Sequence, residues 1–479
     1  MIMSIEEIIN FAAVRRDLFE NAVGPATVIT FTPQVGVGEK FTYIVPKSGK
    51  KGDRGFRISI DPHDVHSIFP QEVLSNSSIC TALMWGGRRD NLLLNKLCGL
   101  SNLLKLEAGG VIISRRGIVR GNRRKQQPTI LGRRILDDND FPSADGMVFW
   151  AKDFPINDDP FTHSKDSTDF AAFQSPQLLI KRTWRKINRR FRSVFVESSA
   201  DDDDGVICDD SYVSVHARNS NTLLLKNYCI AINSIIAVYH QLFCTSQFAT
   251  FNQASNAKDL LGIPLMPEIY SNAGQITKVS DISNDTIFDL YNITTPERAL
   301  IEDAVNYTLA DIMDGNDSAS RKPTIRGDGD GDTETYCRWF IRVMKAAFGN
   351  HQPICATVFQ EDSGCQQLPV RMVAIHLDWP DRAELTMENL GHSALLDHLQ
   401  KVQALMKTGK ENGFGYIRVI RAYDVIIIGE SRIPTFYIIK PDMARYWTRS
   451  LAMREADEFC QYIVLWRNDG GNSVEQSQQ

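Results

Sequence analysis

No two of the nine cysteines are spaced as Cys-x-x-Cys, and an odd, scattered set of thiols argues against a disulfide framework and against a zinc ribbon. No apolar run is long enough to cross a bilayer. The most apolar stretch, Tyr228–Cys244, is interrupted by Asn233, Ser234, His240 and Gln241, whereas a spanning helix needs about 20 apolar residues. Met1–Asn10 carries Glu6 and Glu7 where a secretory leader carries basic residues before an apolar run. A cytoplasmic protein is therefore expected. G-x-S-x-G, a Walker loop, H-E-x-x-H and G-x-G-x-x-G are all missing, so the common signatures of nucleophile, phosphate and metalloprotease chemistry are missing too. Nor is there an excess of basic charge. With 53 Lys and Arg against 58 Asp and Glu the net charge is −5, which excludes a polybasic coat for nucleic acid and leaves the distribution of charge as the informative quantity.

What is present describes a folded chain. Of 479 residues, 43% are hydrophobic and 23% charged, which rules out wholesale disorder, and the length suits about two to four domains. Ile5, Ile8 and Ile9 share a helical face. Ala26–Phe31 reads as a buried strand, and Phe41–Val45 and Phe56–Ile60 as further strands. Leu92, Leu93, Leu97, Leu100 and Leu104 predict a helix over Arg88–Leu104. Gln177–Val196 reads as a strand pair. Ser198–Asp210, with six aspartates and no basic residue, reads as a solvated loop. Leu223–Thr245 has helical periodicity, ended by the extended Gly262–Pro267. Thr295 before Pro296 looks like an N-cap for a helix reaching about Met313. Gly315–Asp332, rich in Gly, Asp and Ser, is the clearest boundary. Beyond it, strands over Ile354–Gln360, Val370–Leu377 and Val425–Gly429 and helices over Ser393–Thr408 and Arg445–Trp466 predict a compact α+β unit.

Two basic clusters carry the functional signal. The first holds Arg115, Arg116, Arg120, Arg123, Arg124, Lys125, Arg133 and Arg134, with no acid between Gly109 and Arg134. The second holds Lys181, Arg182, Arg185, Lys186, Arg189, Arg190 and Arg192, interleaved with Trp184 and Phe191. Phosphate backbones reward such runs, because each cation that replaces a condensed counterion adds salt-dependent affinity, and Arg also reads guanine edges with two hydrogen bonds. A solvated charged face is the plainer meaning of a charge run. Other candidates are weaker. Asp201–Asp204 reads as a flexible loop or as an electrostatic gate over the basic face. Asp328, Asp330, Asp332 and Glu334 miss the EF-hand pattern, since Thr333 follows the third acid and Trp339 stands where the bidentate Glu belongs. His63 and His66 beside Asp61 and Asp64 have a metal-like spacing with no second cluster to complete it. Cys365 has no base nearby. Lys440, Arg445, Tyr446, Trp447 and Arg449 form a polar-aromatic group that either touches a partner or packs on its own sheet.

The order of segments resembles the target-recognition half of adenine-N6 DNA methyltransferases of restriction-modification and phage-defence systems. Ile5–Phe31 (IEEIINFAAVRRDLFENAVGPATVITF) resembles the elements that close that family's catalytic domain. Arg88–Leu104 resembles the helix leading into its recognition region, and Arg116–Asn122 (RGIVRGN) and Leu131–Phe141 the loop that follows. Leu178–Ser193 resembles its strand pair, Tyr228–Pro267 the segment behind the recognition region, and Thr295–Leu309 the next helix. The similarity covers about residues 1–315, through diffuse motifs. The family's (N/D)PP(Y/F) signature and its Gly-rich S-adenosylmethionine loop are not in the sequence; Asn157–Phe161 (NDDPF) has one proline where two are needed. Tyr423–Glu458 resembles tails of defence-operon proteins with no assigned chemistry.

The resemblance implies an α/β and α+β multidomain fold: an N-terminal remnant of a methyltransferase-type sheet, a mainly β target-recognition region followed by helices, and a C-terminal α+β domain. The expected divisions are 1–87 for closing strands and docking, 88–270 for DNA recognition, 271–332 for a helical segment and linker, and 333–479 for the last domain. The implied function is that of a non-catalytic specificity subunit binding double-stranded DNA through both basic clusters. A separate methyltransferase subunit would dock on the N-terminal strands, carry S-adenosylmethionine and flip the adenine out. The alternative is a scaffold that bridges defence proteins without touching DNA. A catalytic site on this chain is not expected.

Overall fold

The computed structural model describes residues 4–18, 24, 26–33, 40–48, 58–76, 78–120, 124–137, 140–185, 189–197, 205–245, 255–327, 330–361, 368–390, 397, 400–401 and 419–468. The chain is mixed α/β, with several small mixed sheets. It forms two compact units. One combines Met1–Leu74 with Asn306–Gln479, and the other is Ser75–Val305. Neither cut falls within Gly315–Asp332, which belongs to the first unit.

In the first unit, a four-stranded sheet has the order Thr27–Thr32, Ser4–Asn10, Phe41–Ile44, Val65–Ile68. Ser4–Asn10 is therefore a strand and not the expected helix. Ile5, Ile8 and Ile9 fit a helical face in isolation, but β-branched residues also suit a pleated surface, and pairing on both sides with Thr27–Thr32 and Phe41–Ile44 decides between the two. Thr27–Thr32 is a strand as expected, yet it is the sheet's edge, and Val28, Ile29 and Phe31 are each at least half exposed. The same unit holds a five-stranded sheet ordered Leu385–Leu390, Cys355–Glu361, Val370–His376, Ser431–Pro441, Ile420–Ile428. The helices Asp332–Phe348 and Arg449–Asn468 cover it, and Phe340, Ile341, Val358, Val373, Ile438 and Phe459 fill the space between. Most of the expected Ser393–Thr408 helix lies outside the described residues.

The second unit is built on a five-stranded sheet ordered Val148–Trp150, Arg190–Glu197, Gln177–Arg185, Tyr212–Ala217, Ile112–Arg116. Its two central strands are the pair expected over Gln177–Val196. Their run of buried residues marks strands covered on both faces. One face packs into a cluster containing Phe154, Phe173, Leu179, Val194 and Tyr212. The helix Thr222–Asn233 lies against the same strands. Asn233 fixes that contact: its Nδ2 donates to Ser193 O at 2.9 Å and to Cys229 O at 2.8 Å. The predicted Leu223–Thr245 helix breaks at Ser234 into Thr222–Asn233 and Ile235–Cys244, bent by 69°. Together the two halves are apolar enough for a broken membrane span, but nearly every residue in them is buried within the unit, and among the described residues no single helix is long and apolar enough to cross a membrane.

The solvated loop expected at Ser198–Asp210 needs correction over its described part. Val206, Ile207 and Cys208 are buried, and Ile207–Cys208 pairs with Ile135–Leu136. Asp201–Asp204 lies outside the described residues. The N-cap expected at Thr295 sits one residue earlier, at Thr294, whose backbone N–H reaches Glu297 at 2.7 Å. From there the chain stays helical to Asp314 through a π-turn at Ala304–Thr308.

Candidate nucleic-acid interface

The first basic cluster contains no acid in sequence, but the fold supplies acids from elsewhere. Ile112–Arg116 is an edge strand. Arg115 pairs with Asp166 at 3.4 Å, donates to the carbonyls of Ser167 and Asp169, and stacks over Phe170 and Phe173. Arg116, about half exposed, pairs with Asp210. Arg120 and Arg124 share the single carboxylate of Asp159, each at 3.2 Å, and Arg120 also donates to Asn157 Oδ1 at 2.7 Å. Lys125 is exposed. It stands with Arg124 on a two-stranded ribbon, Arg124–Gln126 against Phe161–His163. Arg133 donates to the carbonyls of Phe173 and Gly205, and Arg134 to that of Phe154. Arg123 lies outside the described residues.

The second cluster is drawn further inward. Lys181 pairs with Asp140 at 3.3 Å. Arg182 donates to Asp210 O at 2.7 Å and Ser255 O at 3.2 Å. Arg189 reaches Val305 O at 3.4 Å and Arg190 reaches Asn284 Oδ1 at 3.3 Å. Burial lowers the pKa of Arg182 and of Arg190, with repulsion from Arg116 adding at Arg182. The expectation that Arg192 and Trp184 face DNA is corrected. Arg192 is 2% exposed and donates to the carbonyls of Gly146, Ser143 and Ser193, and Trp184 is buried. A cation so enclosed is part of the core and cannot replace a counterion on a phosphate. Lys186 and the side chain of Arg185 lie outside the described residues.

The remaining candidates resolve into structural roles. Asn157 of the NDDPF segment is buried and donates to Ile130 O at 2.8 Å and Asp159 O at 2.9 Å. Lys440, Tyr446 and Trp447 are buried, so the C-terminal polar-aromatic group packs on its own unit. Lys440 donates to Glu455, which also receives Tyr336 and Arg421. Burial pulls the Lys440 pKa down to about 8, against the attraction of Glu455. Asp332 opens a helix and Glu334 is fully buried, accepting from Thr333 Oγ1 at 2.8 Å and Gln360 Nε2 at 3.1 Å; Asp328 and Cys365 lie outside the described residues.

Among the described residues, two groups of metal-ligand atoms come together. Asp61, His63 and Asp64 do so, without the His66 that the expected pair needs. Their surroundings are cationic: Arg454 donates to His63 O, and burial together with Arg454, Lys440, Lys47 and Arg445 holds His63 well below its ordinary range. Asp61 accepts from Tyr446 Oη at 2.9 Å, and Asp64 accepts from the Asp61 backbone at 2.9 Å. These carboxylates are already used. His66 turns toward Arg454 instead, with its Nδ1 3.4 Å from that guanidinium. The second group, Cys98, His240 and Cys244, was not foreseen. Only the i,i+4 spacing of His240 and Cys244 within one helix hinted at it, because Cys98 is 142 residues from His240 in sequence. No family model and no curated protein matches this chain.

Proposed function

We propose that this protein is the DNA-recognition subunit of a split adenine-N6 methyltransferase, holding duplex DNA while a separate catalytic subunit with S-adenosylmethionine performs the transfer. On this reading the four-stranded N-terminal sheet is the methyltransferase remnant, the Ile112–Ala217 region is the recognition module, and the C-terminal unit is an added α+β domain. The observation that carries the reading is the exposed strand Arg124–Gln126, where Arg124 stands beside Lys125 and shares the carboxylate of Asp159 with Arg120. Exposed ion pairs are worth about 0–1 kcal/mol, so the exposed Arg124 guanidinium exchanges Asp159 for phosphate at little cost, while Arg120 is held by Asn157 as well. A two-stranded ribbon also fits the major groove. The contact surface is thus smaller than the sequence suggests, centred on Arg116, Arg120, Arg124 and Lys125. The exposed edge at Val28, Ile29 and Phe31 is the kind of apolar surface that a docking subunit covers.

A scaffold that never touches DNA is the second reading. It is favoured by the acids that the fold brings to the first cluster: Asp159, Asp166 and Asp210 pair with four of its cations, and Asp158 beside Asp159 is exposed. A gel shift with duplex DNA at low salt separates the two. The triple change Arg120→Glu, Arg124→Glu, Lys125→Glu is expected to abolish retention with the circular-dichroism spectrum unchanged. Equal retention by the variant would place DNA contact away from these residues, and no retention by the parent would leave the scaffold reading standing.

A further inference from the structure

The helices Arg88–Gly99 and Ile235–Cys244 bring Cys98, His240 and Cys244 to one point. Cys98 Sγ lies 3.7 Å from Cys244 Sγ and 3.8 Å from His240 Nε2, and all three ligand atoms are within 4.8 Å of one another. We propose that this is a zinc site with two thiolates, one imidazole and a fourth position left to water.

The two distances from Cys98 are close to the edges of a tetrahedron. With Zn–S near 2.3 Å and Zn–N near 2.05 Å, tetrahedral angles give an S···S edge of about 3.8 Å and an S···N edge of about 3.6 Å. The donor set is soft and suits zinc over calcium or magnesium, which take oxygen. The site is also held in advance. Both helices are anchored in the core by Leu93, Leu94, Leu97, Leu242 and Phe243, and a buried bond from Tyr239 Oη to Asp90 Oδ1 at 2.9 Å ties them together about two turns before Cys98. His240 is 6% exposed, with Nδ1 unpartnered and Nε2 facing the thiols. Cys98 is exposed, which gives the ion a route in and gives water the remaining position. The nine residues after Thr245 contain no Cys, His, Asp or Glu to close it. Binding displaces the thiol protons to solvent, and the ion then clamps the two helices.

The test uses the full chain, purified without chelator, dialysed against zinc sulfate and then against metal-free buffer. The expected result is one zinc per chain by elemental analysis, and a thiolate-to-metal charge-transfer band when cobalt(II) replaces zinc. Cys98→Ser changes an exposed side chain and keeps the fold, so it is expected to weaken zinc binding at least tenfold with an unchanged circular-dichroism spectrum, while Cys80→Ser keeps the full metal content. No zinc in the parent protein would overturn the proposal. So would undiminished zinc in Cys98→Ser, or a Cys98–Cys244 disulfide found by peptide mass in place of the metal.

Discussion

Glu455 is a residue whose charge has nowhere to go. It is fully buried, it takes hydrogen bonds from Lys440, Tyr336 and Arg421, and against the opposing effect of burial the two cations and these hydrogen bonds hold its pKa below the ordinary carboxylate range. Removing one partner of such a group strands the other charges, at about 3–5 kcal/mol. Glu455→Gln is therefore expected to lower the unfolding free energy by that amount, read from guanidinium denaturation. A loss under about 1 kcal/mol would mean that the network is solvated. His376 shows the opposite sign of burial. It sits between Thr357 Oγ1 and Thr435 Oγ1, each at 2.9 Å, and burial with Arg382 nearby lowers its pKa from 6.5 to about 4. The neutral ring contributes stability that is complete above pH 6.5 and is lost as pH falls toward 4, because the unfolded chain takes the proton first. The effect is at most about 3 kcal/mol. Thermal melts from pH 7 to 4 are expected to fall less steeply in His376→Gln than in the parent; parallel curves would contradict the assignment.

Among elements, the crossing of Gly117 over Asp209 is the tightest approach. Gly117 donates to Tyr212 O at 3.0 Å, and its neighbour Ile118 donates to Cys208 O at 2.7 Å. A methyl group at Gly117 would stand 1.8 Å from Asp209 O, a backbone atom with little room to retreat. Gly117→Ala is expected to cost about 1–3 kcal/mol, as overpacking does, read as a shifted urea midpoint; an unchanged midpoint would mean that the two segments separate freely. Elements were legible in the sequence where one pattern was unambiguous. The β-branched and apolar run of Leu178–Ile180 and Val194–Val196 fits buried strands, and strands they are. They were misread where two patterns coincide. Ile5, Ile8 and Ile9 satisfy a helical face and a strand equally, and only the neighbouring strands decide. Ser234 stops a helix whose apolar pattern continues on both sides, because Asn233 is committed to Ser193.

At the scale of the whole molecule, what a sequence conceals is the partner of each charge. Arg116 meets Asp210 across 94 residues, Arg124 meets Asp159 across 35, and Arg115 meets Asp166 across 51. A run that is acid-free along the chain is thereby paired with acid in space, and the candidate interface shrinks from both clusters to Arg116, Arg120, Arg124 and Lys125. The Cys98, His240 and Cys244 group was concealed for the same reason. Whether Arg120, Arg124 and Lys125 hold duplex DNA is read from the salt dependence of binding. Each phosphate contact contributes a slope of about −0.9 in log K against log salt. The full chain is expected to bind duplex DNA at low salt, and neutralising Arg120, Arg124 and Lys125 to Gln is expected to make the slope shallower by about 3. An unchanged slope, or no binding by the parent protein at the lowest salt, would contradict the claim.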